Sequence, residues 1–390
     1  MRRRPTLALC LLAAGACLAA EPEATPRTRP DVAERLARHR PRLRSTDRAT
    51  RQAAYDAFLR EGDAGRMLLR DALLALRKQV LVACRSVYLA EPTQQRMLRA
   101  HAKMAAARRE ALRVIFDKRI YPDANHGRSG QPVVDKAVAV VKAMHPAYER
   151  LFASPAKRFA RVLRAYDRLL ELDEQLAQCS VADLELKPPL ADVAGGIPPE
   201  LVEILKAEVD FRSTCARCLR YNRKVRTSLT ANERKVVDLT NEYRMQLGIR
   251  PLAINERLVQ AARKHSAEMA ALGYFAHSSP KPGRRTPSQR CRLEGYNHFR
   301  GENCAYGTGA SGSFHGWYNS SGHHRNMIHP KANEIGVGHA GPWTEDFGAN
   351  PALDLDQPPR RRDDGHKPPH KPPARPKRKR SNPWEKLLPP

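Results

Sequence analysis

Apolar residues recur at every third or fourth position through most of the first 228 residues, which is the spacing of one face of an α-helix. The stretch from Asp63 to Leu76 shows this spacing clearly, with leucines and a methionine on one side. Turn-forming residues interrupt the pattern at 121–130, at Pro188-Pro189 and at 195–199. The pattern therefore predicts a mostly α-helical region over residues 31–228, with about five to seven helices.

The pattern changes after residue 229. Thr230 and Glu233 have the spacing of a capping box, which predicts a helix that begins there and is ended by Gly248. Asn255 predicts the start of a second helix that runs to about Leu272. Short segments with β character follow at 335–339 and 343–347. Helices and strands together predict a separate domain over residues 230–348.

The first twenty residues have the pattern of a secretory signal peptide. Three arginines precede an apolar run that is too short to span a bilayer, and small residues follow it. An alternative is a lipid anchor at Cys17, which small residues also precede. A short disordered spacer is expected over 21–30. No later stretch approaches the ~20 apolar residues of a membrane span, so a secreted or envelope-bound protein is expected.

The tail, residues 349–390, is predicted to be disordered. Its last forty residues contain eleven prolines and eleven lysines or arginines, and such a segment cannot bury an apolar core. The whole chain has a formal net charge of +28. In an exported protein this charge favours an anionic envelope polymer or a lipid headgroup as partner, and we expect no specific binding to nucleic acid. A merely solvated basic surface is the alternative.

Six cysteines follow the predicted leader, an even number that is typical of disulfides in an oxidising compartment. Six cysteines allow about fifteen connectivities, and the first pairing that we expect is Cys291 with Cys304. Cys215 and Cys218 have the Cys-x-x-Cys spacing of redox and zinc sites. A single copy without a second cysteine pair is more often structural.

Short motifs that join glycine or turn residues to ionisable or aromatic groups follow one another between residues 275 and 348. Such loops deliver polar side chains to a shared cleft. The motifs are Phe275-Ala276-His277-Ser278, Gly301-Glu302-Asn303-Cys304, Ser321-Gly322-His323, Glu334-Ile335-Gly336-Val337-Gly338 and Trp343-Thr344-Glu345-Asp346-Phe347-Gly348. With these motifs in this order, the segment 230–348 resembles the CAP superfamily (cysteine-rich secretory proteins, antigen 5 and pathogenesis-related 1, also called SCP domains), in particular its bacterial branch.

The resemblance implies an α-β-α sandwich with a small, central antiparallel sheet and a shallow cleft. Two histidines and two glutamates line that cleft in the family, where some members bind a divalent metal such as zinc. The matching positions here are His277, Glu302 and His323, and Asn303 is expected beside them.

The second glutamate of the family has no counterpart here, because residues 313–320 contain no acid. Three ligands can still hold a metal, but a second carboxylate that could act as general base is missing. His315 or His324 is a substitute suggested by sequence proximity. Without the resemblance, His277, His323 and Glu302 would be interpreted as residues that hold loops through hydrogen bonds.

Three functions compete. The leading hypothesis is a secreted binding protein at the cell envelope, whose cleft binds a small ligand, a lipid or a wall fragment, with or without a divalent metal; the missing carboxylate argues against an enzyme. The second is a metal-dependent hydrolase or peptidase that uses His277, Glu302 and His323. The third is a structural protein that acts through its helical region.

His265 is expected in the core with Trp317, Trp343 and Phe347, whereas three histidines are expected on the surface: His298, His329 and His339.

Overall fold

The computed structural model describes residues 30–85, 89–123, 130–179, 186–307 and 309–357. The predicted signal peptide at 1–20, nearly all of the spacer at 21–30 and the tail from residue 358 onward lie outside these residues. Among the described helices, none combines the length and the apolar character that crossing a bilayer requires.

Residues 31–228 are mostly helical, as predicted. A short 3-10 helix, Arg40–Arg44, separates the first two α-helices. The described part of this region contains α1 (Pro30–Ala37), α2 (Arg48–Leu59), α3 (Gly62–Cys84), α4 (Glu91–Phe116), α5 (Gln131–Ala177), α6 (Leu190–Val193) and α7 (Pro199–Lys224).

The described residues form two compact units, and the chain passes between them more than once. Unit 1 contains the residues up to Ala216 together with Asp238–Pro251 and Gly307–Pro330. Unit 2 contains Arg217–Val237, Leu252–Tyr306 and the residues from Lys331 onward. Segments of the motif-bearing domain therefore occur in both units.

Unit 1 has its apolar core where α3 and α4 pack on the long helix α5. Phe58, Leu69, Leu73 and Leu172 are almost completely buried in one part of it. Arg77 on α3 donates a hydrogen bond of 2.6 Å to Asp173 on α5, and both side chains are nearly buried. Breaking such a pair would leave an uncompensated buried charge, which is strongly destabilising.

Two short helices of the motif-bearing domain, α11 (Ala310–Tyr318) and α12 (Ser321–Met327), belong to unit 1. Arg325 on α12 donates a hydrogen bond of 2.7 Å to the carbonyl of Ile115 at the end of α4. It also binds the carbonyl of Tyr121 and the carboxylate of Asp123. Ser321 donates to the carbonyl of Pro122 at 2.7 Å. The helical region and α12 are thus joined by buried polar contacts.

Unit 2 is built on a four-stranded sheet in the order β1-β3-β4-β2. The strands are β1 (Ala253–Ile254), β2 (Phe299–Ala305), β3 (Glu334–His339) and β4 (Trp343–Gly348). The three longer strands are antiparallel, as expected from the resemblance. The two-residue strand β1 pairs with β3 in parallel, so the sheet as a whole is mixed.

Helix α9 (Glu256–Leu272) covers one face of this sheet and packs on β3 and β4. Gly336 and Gly338 make this close approach possible. A Cβ atom on Gly336 would fall far inside van der Waals distance of the backbone nitrogen of Val259, and one on Gly338 would do the same at Arg263. The glycines of the Glu334–Gly338 motif are therefore required by helix packing.

The predicted helix starts are confirmed by their hydrogen bonds. For α8 (Ala231–Gln246), the amide of Thr230 donates to Glu233 at 2.7 Å and the amide of Glu233 donates to the Thr230 hydroxyl at 3.3 Å. The Asn255 side chain accepts from the amide of Arg257 at the start of α9. Helix α10 (Pro287–Leu293), which begins with a capping box of Thr286 and Gln289, was not predicted.

Candidate functional site

His277 and Glu302 lie side by side in unit 2. His277 lies in the loop after α9 and Glu302 on β2, and the Nδ1 of His277 lies 2.9 Å from Oε1 of Glu302. The side chain of His277 is 52% exposed, whereas that of Glu302 is 2% exposed. The sequence predicted both residues, and the structure places a buried carboxylate beneath an exposed imidazole.

Arg290 on α10 holds the other oxygen of the same carboxylate. Its Nη2 donates to Oε2 of Glu302 at 2.6 Å, and both side chains are almost fully buried. Arg290 also donates to the carbonyls of Arg284 and Arg285, which fixes the preceding loop. Burial alone would raise the pKa of Glu302, but the hydrogen bond from His277 and the positive charge of Arg290 outweigh burial and lower it. Glu302 is therefore ionised.

Asp346 on β4 is the direct cross-strand partner of Glu302. It is buried, and burial together with the negative charge of Glu302 raises its pKa well above the ordinary value. The thiol of Cys291 lies 3.9 Å from its Oδ2. Asp346 is therefore protonated, and the pair of carboxyl groups carries one negative charge that Arg290 balances.

Cys304 follows Glu302 by two residues on β2 and faces the same side. Its sulfur lies 3.7 Å from Nδ1 of His277 and 3.6 Å from Oε1 of Glu302. Burial raises the pKa of the Cys304 thiol well above its ordinary value, so the group is protonated. A thiol, a carboxylate and an imidazole thus meet at one point.

Cys291 and Cys304 are buried thiols without a disulfide in the structure, and their expected pairing stays a prediction. Among the described residues, Cys84, Cys179, Cys215 and Cys218 form no disulfide either. Cys215 and Cys218 are buried on α7, and burial raises the pKa of Cys215 to about 11. A thiol of this kind is unreactive, which agrees with the structural role predicted for the Cys-x-x-Cys pair.

Two histidines compete as metal ligands beside Glu302 and Cys304. Donor atoms of His265, Glu302 and Cys304 lie within 4.8 Å of one another. His265, however, is completely buried, and its Nε2 lies 3.0 Å from the carbonyl of Ala276, to which only a protonated nitrogen can donate. His277 fits better. Ordinary zinc bond lengths place a sulfur and a nitrogen ligand about 3.6 Å apart in a tetrahedral site, close to the separation of Cys304 from His277.

The other predicted site residues lie elsewhere. His323 is half-buried on α12 in unit 1, whereas His277 and Glu302 belong to unit 2, so its place beside them stays a prediction. Asn303 points to the opposite face of β2, where its amide donates to Glu345 at 3.1 Å. The structure therefore does not bring the Asn303 side chain to the His277 side of the strand.

His315 and His324, the two histidines suggested in place of the second glutamate, lie in different environments. His315 is exposed on α11. His324 is completely buried in unit 1, with Nε2 at 2.8 Å from the hydroxyl of Tyr243, and burial lowers its pKa to about 3. His324 is therefore a neutral core residue and not an exposed ligand. The core assignments of His265, Trp317, Trp343 and Phe347 are confirmed; of the predicted surface histidines, His298 and His339 are exposed and His329 is half-buried.

Arg290, Asp346 and the site role of Cys304 were not found from the sequence. The Thr286-x-x-Gln289 box was the available signal for α10 and hence for Arg290. The burial of Asp346 depends on the register of β4 against β2, which the β-like character of 343–347 did not specify. The positions of Arg290, Asp346 and Cys304 at the site depend on how α10, β4 and β2 pack together in the folded protein.

Comparisons with known proteins give a consistent assignment. Residues 237–347 match the family model of the cysteine-rich secretory protein family, CAP. Over 126 residues the chain is 37% identical to YkwD of Bacillus subtilis (strain 168), covering 31% of this chain and 48% of that protein. It is 34% identical over 113 residues to the membrane protein YlbC of the same organism, covering 28% of this chain and 32% of YlbC.

A solved structure of an extracellular protein containing an SCP domain from Bacillus anthracis str. Ames is 27% identical, with a TM-score of 0.30. The match covers 32% of this chain and 45% of that one. The chain thus spans about half the length of YkwD and about a third of YlbC. All of these matches concern about a third of the chain or less.

Proposed function

Because residues 237–347 form a CAP domain of the bacterial type, we propose that this chain is an exported protein that binds a component of the cell envelope at His277 and Glu302. Binding, and not hydrolysis, is the proposed task of the site. The charge of +28 supports an anionic envelope component as the partner.

The observation that carries this proposal is the engagement of Glu302. One of its oxygens lies 2.9 Å from His277 and the other 2.6 Å from Arg290. A carboxylate that is ionised, buried and held on both oxygens is a weak proton acceptor, because its proton affinity has been lowered by its partners. Its effect is to fix the half-exposed ring of His277 in one orientation and one tautomer.

The chemistry of His277 follows from this arrangement. When Nδ1 donates to Glu302, a neutral ring carries its lone pair on Nε2. Such a ring can accept a hydrogen bond from a hydroxyl or amide of a ligand. The protonated Asp346 supplies no second base, and residues 313–320 contain no acid. The residues beside His277 thus support recognition of a polar ligand.

The test is sedimentation of the purified, leader-free chain with isolated cell-wall material and, separately, with anionic phospholipid vesicles. We expect the chain to sediment with wall material and the His277→Ala variant to bind roughly tenfold less tightly, the effect of about one lost hydrogen bond to a fixed partner. His298→Ala is the matched control, since His298 is also exposed. Equal binding by both variants would contradict the proposal.

A metal-dependent hydrolase is the second candidate, and Cys304 is the observation that favours it. His277, Glu302 and Cys304 would be the ligands, and a bound zinc ion would supply a Lewis acid. Metal analysis of the exported protein separates the two functions. Zinc in equal proportion to protein that is lost in both His277→Ala and Cys304→Ser would favour the hydrolase, whereas binding to wall material without zinc would favour the binding protein.

A further inference from the structure

Two exposed aromatic rings lie together in unit 2. The side chains of Phe275 and Tyr306 are among the few large apolar groups on the described surface, at 45% and 66% exposure. Their ring centroids are 4.5 Å apart and their planes are inclined by 36°. Exposing both rings leaves apolar area in water, which is unfavourable unless something covers it.

The aromatic pair is continuous with the His277 site. Glu302 and Cys304 face the same side of β2, and Tyr306 follows at the same two-residue spacing just after the strand ends. In the opposing loop, Phe275 precedes His277 by two residues. His277 contacts Glu302 and Cys304, and Phe275 contacts Tyr306. The loop therefore runs along one face of the strand, so that an exposed aromatic patch adjoins an exposed imidazole.

We propose that Phe275 and Tyr306 form a stacking platform for a pyranose ring of an acidic envelope glycan, whose hydroxyl groups bind His277. This inference rests on the proposed binding function and names the class of ligand. A pyranose ring has an apolar face that stacks on an aromatic ring and polar groups at its rim. The apolar face of the sugar would contact the rings of Phe275 and Tyr306, and its polar groups would bind the imidazole of His277.

The surrounding charge favours an acidic glycan. Residues 275–306 contain six basic residues, namely Lys281, Arg284, Arg285, Arg290, Arg292 and Arg300, against the acids Glu294 and Glu302. Arg290 is used by Glu302 inside the protein, but Lys281 and Arg285 are exposed. A carboxylate on the sugar would be attracted to this loop. An acyl chain fits less well, since the patch continues into the polar groups of His277, Glu302 and Cys304.

The probe is the set of soluble, peptide-free glycan strands prepared from peptidoglycan, whose muramic acid residues carry carboxylates. Binding is measured by titration calorimetry for the native chain and for Phe275→Ala, Tyr306→Ala and Tyr306→Phe. We expect each alanine variant to bind roughly tenfold more weakly, the effect of one lost stacking contact. Tyr306→Phe keeps the ring and should bind like the native chain. Both side chains are exposed, and circular dichroism verifies that each variant is folded.

The outcomes separate this inference from the function on which it rests. Glycan binding that depends on His277 but is unchanged in both alanine variants would overturn the platform and leave the binding function standing. Binding to anionic vesicles without binding to glycan strands would also overturn it. If the native chain binds no envelope material, or if His277→Ala binds as well as the native chain, then the proposed function itself fails.

Discussion

At the scale of single residues, the interior around His277 is governed by buried groups whose protonation differs from that in water. Glu302 is ionised because the hydrogen bond from His277 and the charge of Arg290 lower its pKa, and Asp346 keeps its proton because it is buried beside the charge of Glu302. The motifs predicted His277 and Glu302. They could not predict Arg290, which reaches the carboxylate from a helix twelve residues earlier in the chain.

The buried proton of Asp346 should make stability depend on pH. The native state keeps this proton, whereas the unfolded chain loses it above about pH 3.9. Stability should therefore fall as pH rises from about 4 toward the raised native pKa. Asp346→Asn carries no titrating proton, so its free energy of unfolding should decline less between pH 4 and 7. Urea unfolding of both proteins measures this, and parallel pH profiles would contradict the assignment.

His324 should make the stability of the protein depend on pH in the opposite direction. Its native pKa is about 3 because of burial, whereas the unfolded histidine titrates near pH 6.5. The unfolded state therefore binds the proton first as pH falls, and stability should be lost below about pH 6.5. His324→Gln should flatten the profile between pH 4 and 6.5 relative to the native chain. His315→Gln, at an exposed position, should leave the slope unchanged.

At the scale of elements, local signals predicted the helix starts at Thr230 and Asn255 and the strands near residues 335 and 343. Short elements with weak patterns were missed, as α10 and the two-residue strand β1 show. The glycines of β3 are a further case. Their spacing is visible in the sequence, but its reason, contact with the backbone of α9, exists only in the folded protein.

Gly336→Ala should weaken the packing of α9 on the sheet. The added methyl group would meet the backbone of Leu258 and Val259, which cannot rotate away. We expect a cost of about 1–3 kcal/mol or more in the free energy of unfolding, as for overpacked cores. Gly316→Ala is the control, because a Cβ there would meet nothing within 4 Å and alanine favours helix α11 by up to about 1 kcal/mol. Equal effects of the two changes would refute the packing argument.

At the scale of the whole molecule, the composition of unit 1 was not foreseen. The sequence predicted a helical region followed by a separate domain from residue 230. The structure has helices in the first segment and both helices and strands in the second. Yet α11 and α12 belong to the same compact unit as the helical region, and Arg325 binds three groups between Ile115 and Asp123. Periodicity within each segment carries no information about such contacts, which are about 200 residues apart in the chain.

Arg325→Ala should therefore destabilise the entire unit 1. It would remove the donors from two buried carbonyls and from Asp123, whose side chain is 46% exposed, and we expect a loss of about 1–3 kcal/mol, typical of a buried acceptor left without its donor. Chemical unfolding of the purified chain measures this loss. Arg119→Ala, at an exposed ion pair with Asp117, should leave the unfolding curve unchanged. If both variants unfold alike, the contact contributes nothing to holding α12 in place.

The His277–Glu302 site is proposed to bind an envelope component without cleaving it. The most direct measurement incubates the purified chain with isolated cell-wall material, with and without added zinc, and follows bound protein and released soluble fragments in the same samples. We predict binding that falls roughly tenfold in His277→Ala and no fragments above the level of the protein-free control. Release of fragments that requires His277 would contradict the claim and identify the protein as a hydrolase.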